Sequence, residues 1–296
     1  MSEILGVPVQ VFAGQFVLGL VNGSFYALLS LGLALIFGML GIINFAHGAF
    51  YMMGAMLSWM GLHYLEINYW WALLLAPLAV AVLGGIIEAT MLRRLYPLDP
   101  LYGLLLTFGL ALVVEGAFRH PYGVSGQPYS IPDAFAGAYD LGFMYLPRYR
   151  GWVIAASLGM CLATWYIVER TRLGANLRAA AENPGLAQAL GINVPRMITL
   201  TYAFGVALAA FAGVLAAPVM HLNPLMGSNL MIIVFAVVVI GGMGSLLGAI
   251  VTGIALGLAE GLAKVFYPQA ANTIVFVIMA VVLLMRPAGL FGRDLR

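Results

Sequence analysis

The sequence predicts an all-α polytopic membrane protein with about 8–10 transmembrane helices, and three observations predict it. Hydrophobic residues make up 63% of the 296 positions and charged residues only 8%, against about 25% charge in a water-soluble domain. Mean hydropathy is +1.02. So few charges cannot cover a water-facing surface, and the bilayer must act as the solvent. Apolar residues also run unbroken, as in LMIIVFAVVVIGG, whereas the strands of a membrane barrel alternate apolar and polar residues.

The apolar runs lie near residues 9–38, 43–62, 70–92, 101–118, 152–168, 197–218, 228–241, 246–264 and 272–286. A perpendicular span needs about 20 residues. The first run is too long for one straight span and is interrupted at Asn22-Gly23-Ser24, so it is either one tilted helix or two short ones. The count is therefore nine or ten. Gly38 and Gly41 break the chain before INFAHG, where Asn44 and His47 bring polar groups into an apolar segment. Such groups are costly in a membrane and are functional suspects. They border a solute path, or Asn44 simply N-caps a helix starting at Phe45 with His47 in its first turn.

The 228–241 run is short and ends in GGMGS. Gly241, Gly242 and Gly244 thus mark a second break, and short Gly-interrupted segments border transport paths in transporters. The helix that follows spaces glycines by four, at Gly244 and Gly248 and again at Gly253, Gly257 and Gly261. That spacing lets two helix backbones approach closely. It serves packing or lines a path. FGMLGIINFAHGAF (37–50) and IGGMGSLLGAIVTG (240–253) each follow an apolar run and open a Gly-rich helix, the pattern of a possible inverted repeat.

Charge orients the chain. One set of loops holds Arg93, Arg94, Arg170, Arg172, Arg178, Arg196, Arg286, Arg293 and Arg296, and the alternate set holds Arg119, Arg148, Arg150 and Lys264. The positive-inside rule puts the first set, and with it the C-terminus, in the cytoplasm. The 119–151 loop, rich in Pro, Gly and Tyr, is then extracytoplasmic and expected over the outer mouth. The N-terminal MSEILGVPVQ lacks the basic region of a cleaved signal, so the first apolar segment is expected to stay in the mature protein.

Residues 169–196 hold six charged side chains, Glu169, Arg170, Arg172, Arg178, Glu182 and Arg196. They also carry helix punctuation: Asn183 can cap, Pro184 suits a first helical position and Gly191 can end the turn. This is a structured cytoplasmic hairpin. Arg178 and Glu182 sit four apart and can pair with each other or with a partner. Glu115 with Arg119, and Glu260 with Lys264, have the same spacing, and Glu88 lies near Arg93.

Other classes lack support. A net charge of +2 with no basic stripe outside the loops does not suggest nucleic acid. Lone Cys161 excludes an internal disulfide. No phosphate loop, metal-ligand cluster or nucleophile elbow is present, so no cofactor, metal or catalysis is expected.

The segment 22–55, NGSFYALLSLGLALIFGMLGIINFAHGAFYMMGA, closely resembles the N-terminal signature of LivH-type permeases, the membrane subunits of branched-chain amino acid ABC importers. Residues 172–219, the tract VVIGGMGSLLGAIVTGIALGLAEGL (238–262) and the ending RPAGLFGR (286–293) are similar to that family too, in its order. The resemblance implies a single permease domain over 1–296 in a prokaryotic inner membrane. It implies a second permease subunit, identical or paralogous, two cytoplasmic ATPases and an extracytoplasmic solute-binding protein. It also implies that the hairpin docks on an ATPase, through Arg178, Ala180, Glu182, Asn183, Gly185, Ala187 and Gly191. One departure bears on the solute. From Asn229 the run NLMIIVFAVVVIG is apolar, where branched-chain members carry a lysine and a threonine, so amino acids, amides, urea and aromatic acids stay open. The competing classes are a proton-coupled secondary transporter using Glu88, Glu115 or Glu260, and a passive channel.

Overall fold

A computed structural model describes residues 3–4 and 7–292. Arg293 and Arg296, which enter the charge count above, lie outside the described residues, as does most of MSEILG. A short antiparallel pair, β1 (Glu3–Ile4) and β2 (Val7–Pro8), leads into helix α1 (Val9–Leu40). The first apolar run is thus one helix of 32 residues, about 48 Å long at 1.5 Å per residue. Asn22-Gly23-Ser24 does not break it, and Ser24 turns its hydroxyl back onto the Val21 carbonyl at 2.7 Å.

The remaining apolar runs also fold as helices. They are α2 (His47–Leu65), α3 (Tyr69–Thr90), α4 (Pro100–Tyr122), α5 (Arg148–Arg170), α8 (Val194–Ala216), α9 (Met226–Gly241), α10 (Leu246–Phe266) and α11 (Ala271–Met285). The polar hairpin supplies α6 (Arg172–Glu182) and α7 (Pro184–Ala189). Six described helices are long and apolar enough to cross a membrane, and Met226–Gly241 and Thr273–Met285 are shorter apolar stretches. Side-chain caps set several starts. Asn68 accepts from the Trp70 amide, Asp99 from Leu101 with Pro100 next, and Asn193 from Arg196. The 119–151 segment is partly helical, since α4 runs to Tyr122 and α5 begins at Arg148. Between them a hairpin pairs β3 (Ala138–Asp140) with β4 (Tyr145–Pro147).

Packing groups the chain into two compact units. One takes the described residues of Met1–Ser30, Ser130–Cys161 and Ile233–Arg296; the other takes Leu31–Tyr129 and Leu162–Ile232. In the first, α10 lies on the N-terminal part of α1, and Gly253, Gly257 and Gly261 are all buried along that seam. A Cβ on Gly253 would meet the Ala27 backbone at 2.5 Å, and one on Gly261 would meet the Gln15 carbonyl at 2.5 Å and Gly19 Cα at 2.8 Å. Gly257 sits between them against the backbone of Gly23, and a Cβ on Gly19 would meet the Gly257 carbonyl at 2.7 Å. The four-residue glycine spacing therefore serves backbone approach within one chain. Of the two readings, packing or a path, the geometry fits packing for Gly253, Gly257 and Gly261, each of which is covered by α1. Gly248 stands outside this row and is pressed instead against the Gly241 carbonyl at the end of α9. In the second unit, α8 packs along α2 and α3, and its Ala209, Ala210, Ala212 and Val214 are fully buried.

Candidate functional site

The hairpin is rigid for reasons visible residue by residue. Asn183 accepts from the Leu186 amide at 3.0 Å, Pro184 fills the first position of α7, and Gly191 takes φ +85° at its end. Its inner face is a small apolar core of Ala180, Ala187 and Val194, with Met39, Ile192 and Ile198 packed against it. Arg178 donates to the Val168 carbonyl and lies 3.4 Å from Glu169. Of the pairings open to Arg178, with Glu182 or with a partner, the one with Glu182 is not formed: the guanidinium reaches back to the end of α5. Of the docking candidates, Ala180 and Ala187 are buried, while Arg178, Glu182, Asn183, Gly185 and Gly191 are exposed. Sequence reasoning passed over three exposed leucines of the hairpin, Leu173, Leu186 (58% exposed) and Leu190 (73% exposed). Their signal was an apolar side chain on the solvent face of an amphipathic hairpin.

At the first break the chain leaves α1 at Leu40, turns through Gly41 at φ +65° and enters α2 at His47. Asn44 does not N-cap a helix at Phe45. Its side chain accepts from the Ala46 amide at 3.1 Å and donates to the Tyr202 hydroxyl at 3.2 Å. Thr107 on α4 accepts the Phe45 amide at 3.2 Å. Asn44 and His47 are 1% and 0% exposed. Asn44 ties the break to α8 from inside the unit, and the His47 ring lies against Gly32 of α1.

The second break is built differently. Gly242 and Gly244 adopt φ +98° and +85°, and Ser245 caps α10 by accepting from the Gly248 amide at 3.1 Å. The carbonyls at the end of α9 find donors far along the chain. Leu290 N–H donates to the Ile240 carbonyl at 2.8 Å and Phe291 N–H to the Gly241 carbonyl at 3.1 Å. The RPAGLFG tract is thus the C-terminal cap of α9.

Three carboxylates lie in apolar helices. Glu88 is fully buried and receives Arg93 at 3.0 Å, Thr199 Oγ1 at 2.6 Å and Tyr96 OH at 3.0 Å. Glu260 receives Lys264 at 2.5 Å and Tyr26 OH at 2.7 Å. Glu115 does not pair with Arg119, contrary to the spacing. Ser228 donates to it at 2.5 Å instead. Sequence reading missed Tyr26, Thr199 and Ser228, each distant in the chain from its carboxylate.

Apolar helices broken at two Gly-rich turns, with one rigid polar hairpin, define a multi-pass membrane transport subunit. The family described as "Branched-chain amino acid transport system / permease component" matches residues 15–285. The chain is 31% identical to the high-affinity branched-chain amino acid transport system permease protein LivH of Escherichia coli K12, over 95% of this chain and 96% of that one. It is 32% identical to BraD of Pseudomonas aeruginosa, over 94% and 95%. To LivM of Escherichia coli K12 it is 27% identical, over 90% and 67%. The chain belongs to the branched-chain amino acid permease family.

Proposed function

We propose that this chain is the membrane-spanning subunit of an ABC importer that moves amino acids inward across a prokaryotic inner membrane. It works beside a second permease subunit, with two cytoplasmic ATPases and an extracytoplasmic binding protein. The observation that carries the coupling role is the hairpin. A capped, packed element with exposed leucines on its outer face can transmit a push from a partner to the apolar helices, and a slack loop cannot. Leu186 and Leu190 seat in the ATPase, and the Ala180–Ala187–Val194 core passes the displacement to α8. In this reading the 119–151 loop faces the binding protein, and the breaks at Asn44–His47 and Gly241–Gly244 are the points where the helices yield during transport. Two of the carboxylates offered for proton coupling, Glu88 and Glu260, are held in ion pairs, which favours an ATP-driven cycle.

The test is uptake in cells carrying the complete system. Uptake that survives collapse of the proton gradient and stops on ATP depletion supports the reading. The reverse pattern overturns it. Single-cysteine pairs between Leu190 and the ATPase surface should cross-link. Cross-linking from the 93–100 loop but not from the hairpin would relocate the docking site.

A further inference from the structure

Glu88 and Glu260 each have a cation of this chain beside them. Glu115 has none among the described residues; its one hydrogen-bond donor is the Ser228 hydroxyl. Its position makes that unusual. It stands about 22 Å from the start of α4 and about 10 Å from its end at 1.5 Å per residue, within the depth of a hydrocarbon core. It is only half-buried, and Ser228, which bonds it, and Asn229, the next residue, are exposed on the first turns of α9. The surrounding face of α4 is otherwise uncovered and apolar, with Leu112 and Val113 exposed and no atom near Gly109 or Gly116. A carboxylate, a hydroxyl and an amide on an uncovered surface at that depth face something other than lipid.

Resting on the permease reading, we propose that Glu115, Ser228 and Asn229 form a binding station for the ammonium group of the transported solute. The carboxylate supplies the counter-charge. The Ser228 hydroxyl, now spent on Glu115, and the Asn229 amide are free to turn to the polar end of a zwitterion. A second copy of this chain carries its cations away from mid-helix. Its described arginines stand at helix ends, in the hairpin or in loops, and Lys264 is paired with Glu260. The ammonium group of an amino acid is the cation that fits, so the station selects amino acids over ammonium-free amides or urea.

The test uses the whole complex in liposomes, with L-leucine, urea and an aliphatic amide as the probes. Losing a charge-assisted hydrogen bond should lower leucine uptake about ten- to hundredfold in Glu115→Gln. Assembly with the second permease and hydrolysis stimulated by the binding protein should stay near wild type. Glu115→Asp should restore part of the uptake, and Ser228→Ala should lower it less than Glu115→Gln does. Unchanged leucine uptake in Glu115→Gln overturns the proposal. So does loss of the second subunit from the complex, which would make Glu115 a subunit contact, or loss of stimulated hydrolysis, which would make it mechanical. Wild-type transport of urea or the amide but of no amino acid overturns the station and leaves the importer standing. ATP-independent uptake by the wild type refutes the importer reading itself.

Discussion

Leu290 lies against Ile240, its amide 2.8 Å from that carbonyl, fifty positions along the chain. The contact ends a 16-residue helix inside an apolar unit, where unsatisfied carbonyls would be costly. It depends on glycine at the crossing. A Cβ on Gly242 would sit 2.7 Å from Gly292 Cα, and the φ of +98° strains any other residue.

Gly242→Val should therefore separate the tract after Arg286 from α9. Overpacking and backbone strain each cost about 1–3 kcal/mol. The expected result is a clear fall in thermal stability in detergent, with membrane insertion intact. Gly109→Val, where nothing lies within 4 Å, should be neutral. Equal stability of the two variants would count against the capping role.

The Glu88 cluster predicts an asymmetry. Arg93→Ala leaves a fully buried carboxylate without its cation, a loss of about 3–5 kcal/mol. Glu88→Gln leaves an arginine that is 39% exposed and can reach water, so it should cost less. Thermal unfolding of both variants and the double variant settles the order. The double variant should be more stable than Arg93→Ala.

On the hairpin, Leu190→Asp and Ala187→Leu should fail differently. Leu190 is exposed, so its charge variant should keep the fold and lose uptake, with ATP hydrolysis uncoupled. Ala187 is 2% exposed in the small core, so leucine there should loosen the hairpin itself. Protease nicking near Asn183 in the second variant and not the first is the expected readout.

Burial, with the negative charge of Glu88 beside it, pushes the Tyr96 phenol well above its ordinary value. The folded state then holds that proton more tightly than the unfolded chain. The resulting stability is fully present below the unfolded value of about 10 and is lost as pH rises above it. Tyr96→Phe should be less stable than wild type at neutral pH, and the gap should narrow at alkaline pH. A gap independent of pH would show that the folded state does not hold this proton more tightly, and would count against burial and the hydrogen bond to Glu88 alike.

Helices and their punctuation were legible because both are local. Asn183, Pro184 and Gly191 announced α7, and GGMGS announced the end of α9. The nine apolar runs became nine apolar helices among the described residues. What stayed hidden depends on residues far apart in sequence. The i,i+4 spacing paired Glu260 with Lys264 but offered Glu182 or a partner to Arg178 and Arg119 to Glu115. In both of those cases a nearer partner comes from elsewhere in the fold, Val168 and Glu169 for one and Ser228 for the other. The spacing of Gly253, Gly257 and Gly261 likewise announced a close helix contact without saying which helix supplies it, since Gln15, Gly19 and Gly23 lie more than 200 positions away. The polar character of Asn44 and His47 was legible in the sequence, but their burial, and the Tyr202 hydroxyl that meets Asn44 158 positions on, were not. The exposure of the hairpin leucines is legible only once Ala180, Ala187 and Val194 take the inner face.

The glycine-on-glycine contact between α1 and α10 also sets a timetable. Gly19 is synthesised 238 positions before Gly257, so at 5–20 residues per second it waits roughly ten to fifty seconds for its partner. Throughout that interval the groove along the nascent helix stands open to lipid or to whatever holds the growing chain in the membrane. A ribosome that stalls before residue 246 leaves the 31–129 and 162–232 unit fully synthesised and the other unit without α10. Cellular surveillance of this protein then has one cue to read, an unfilled glycine groove near the amino terminus.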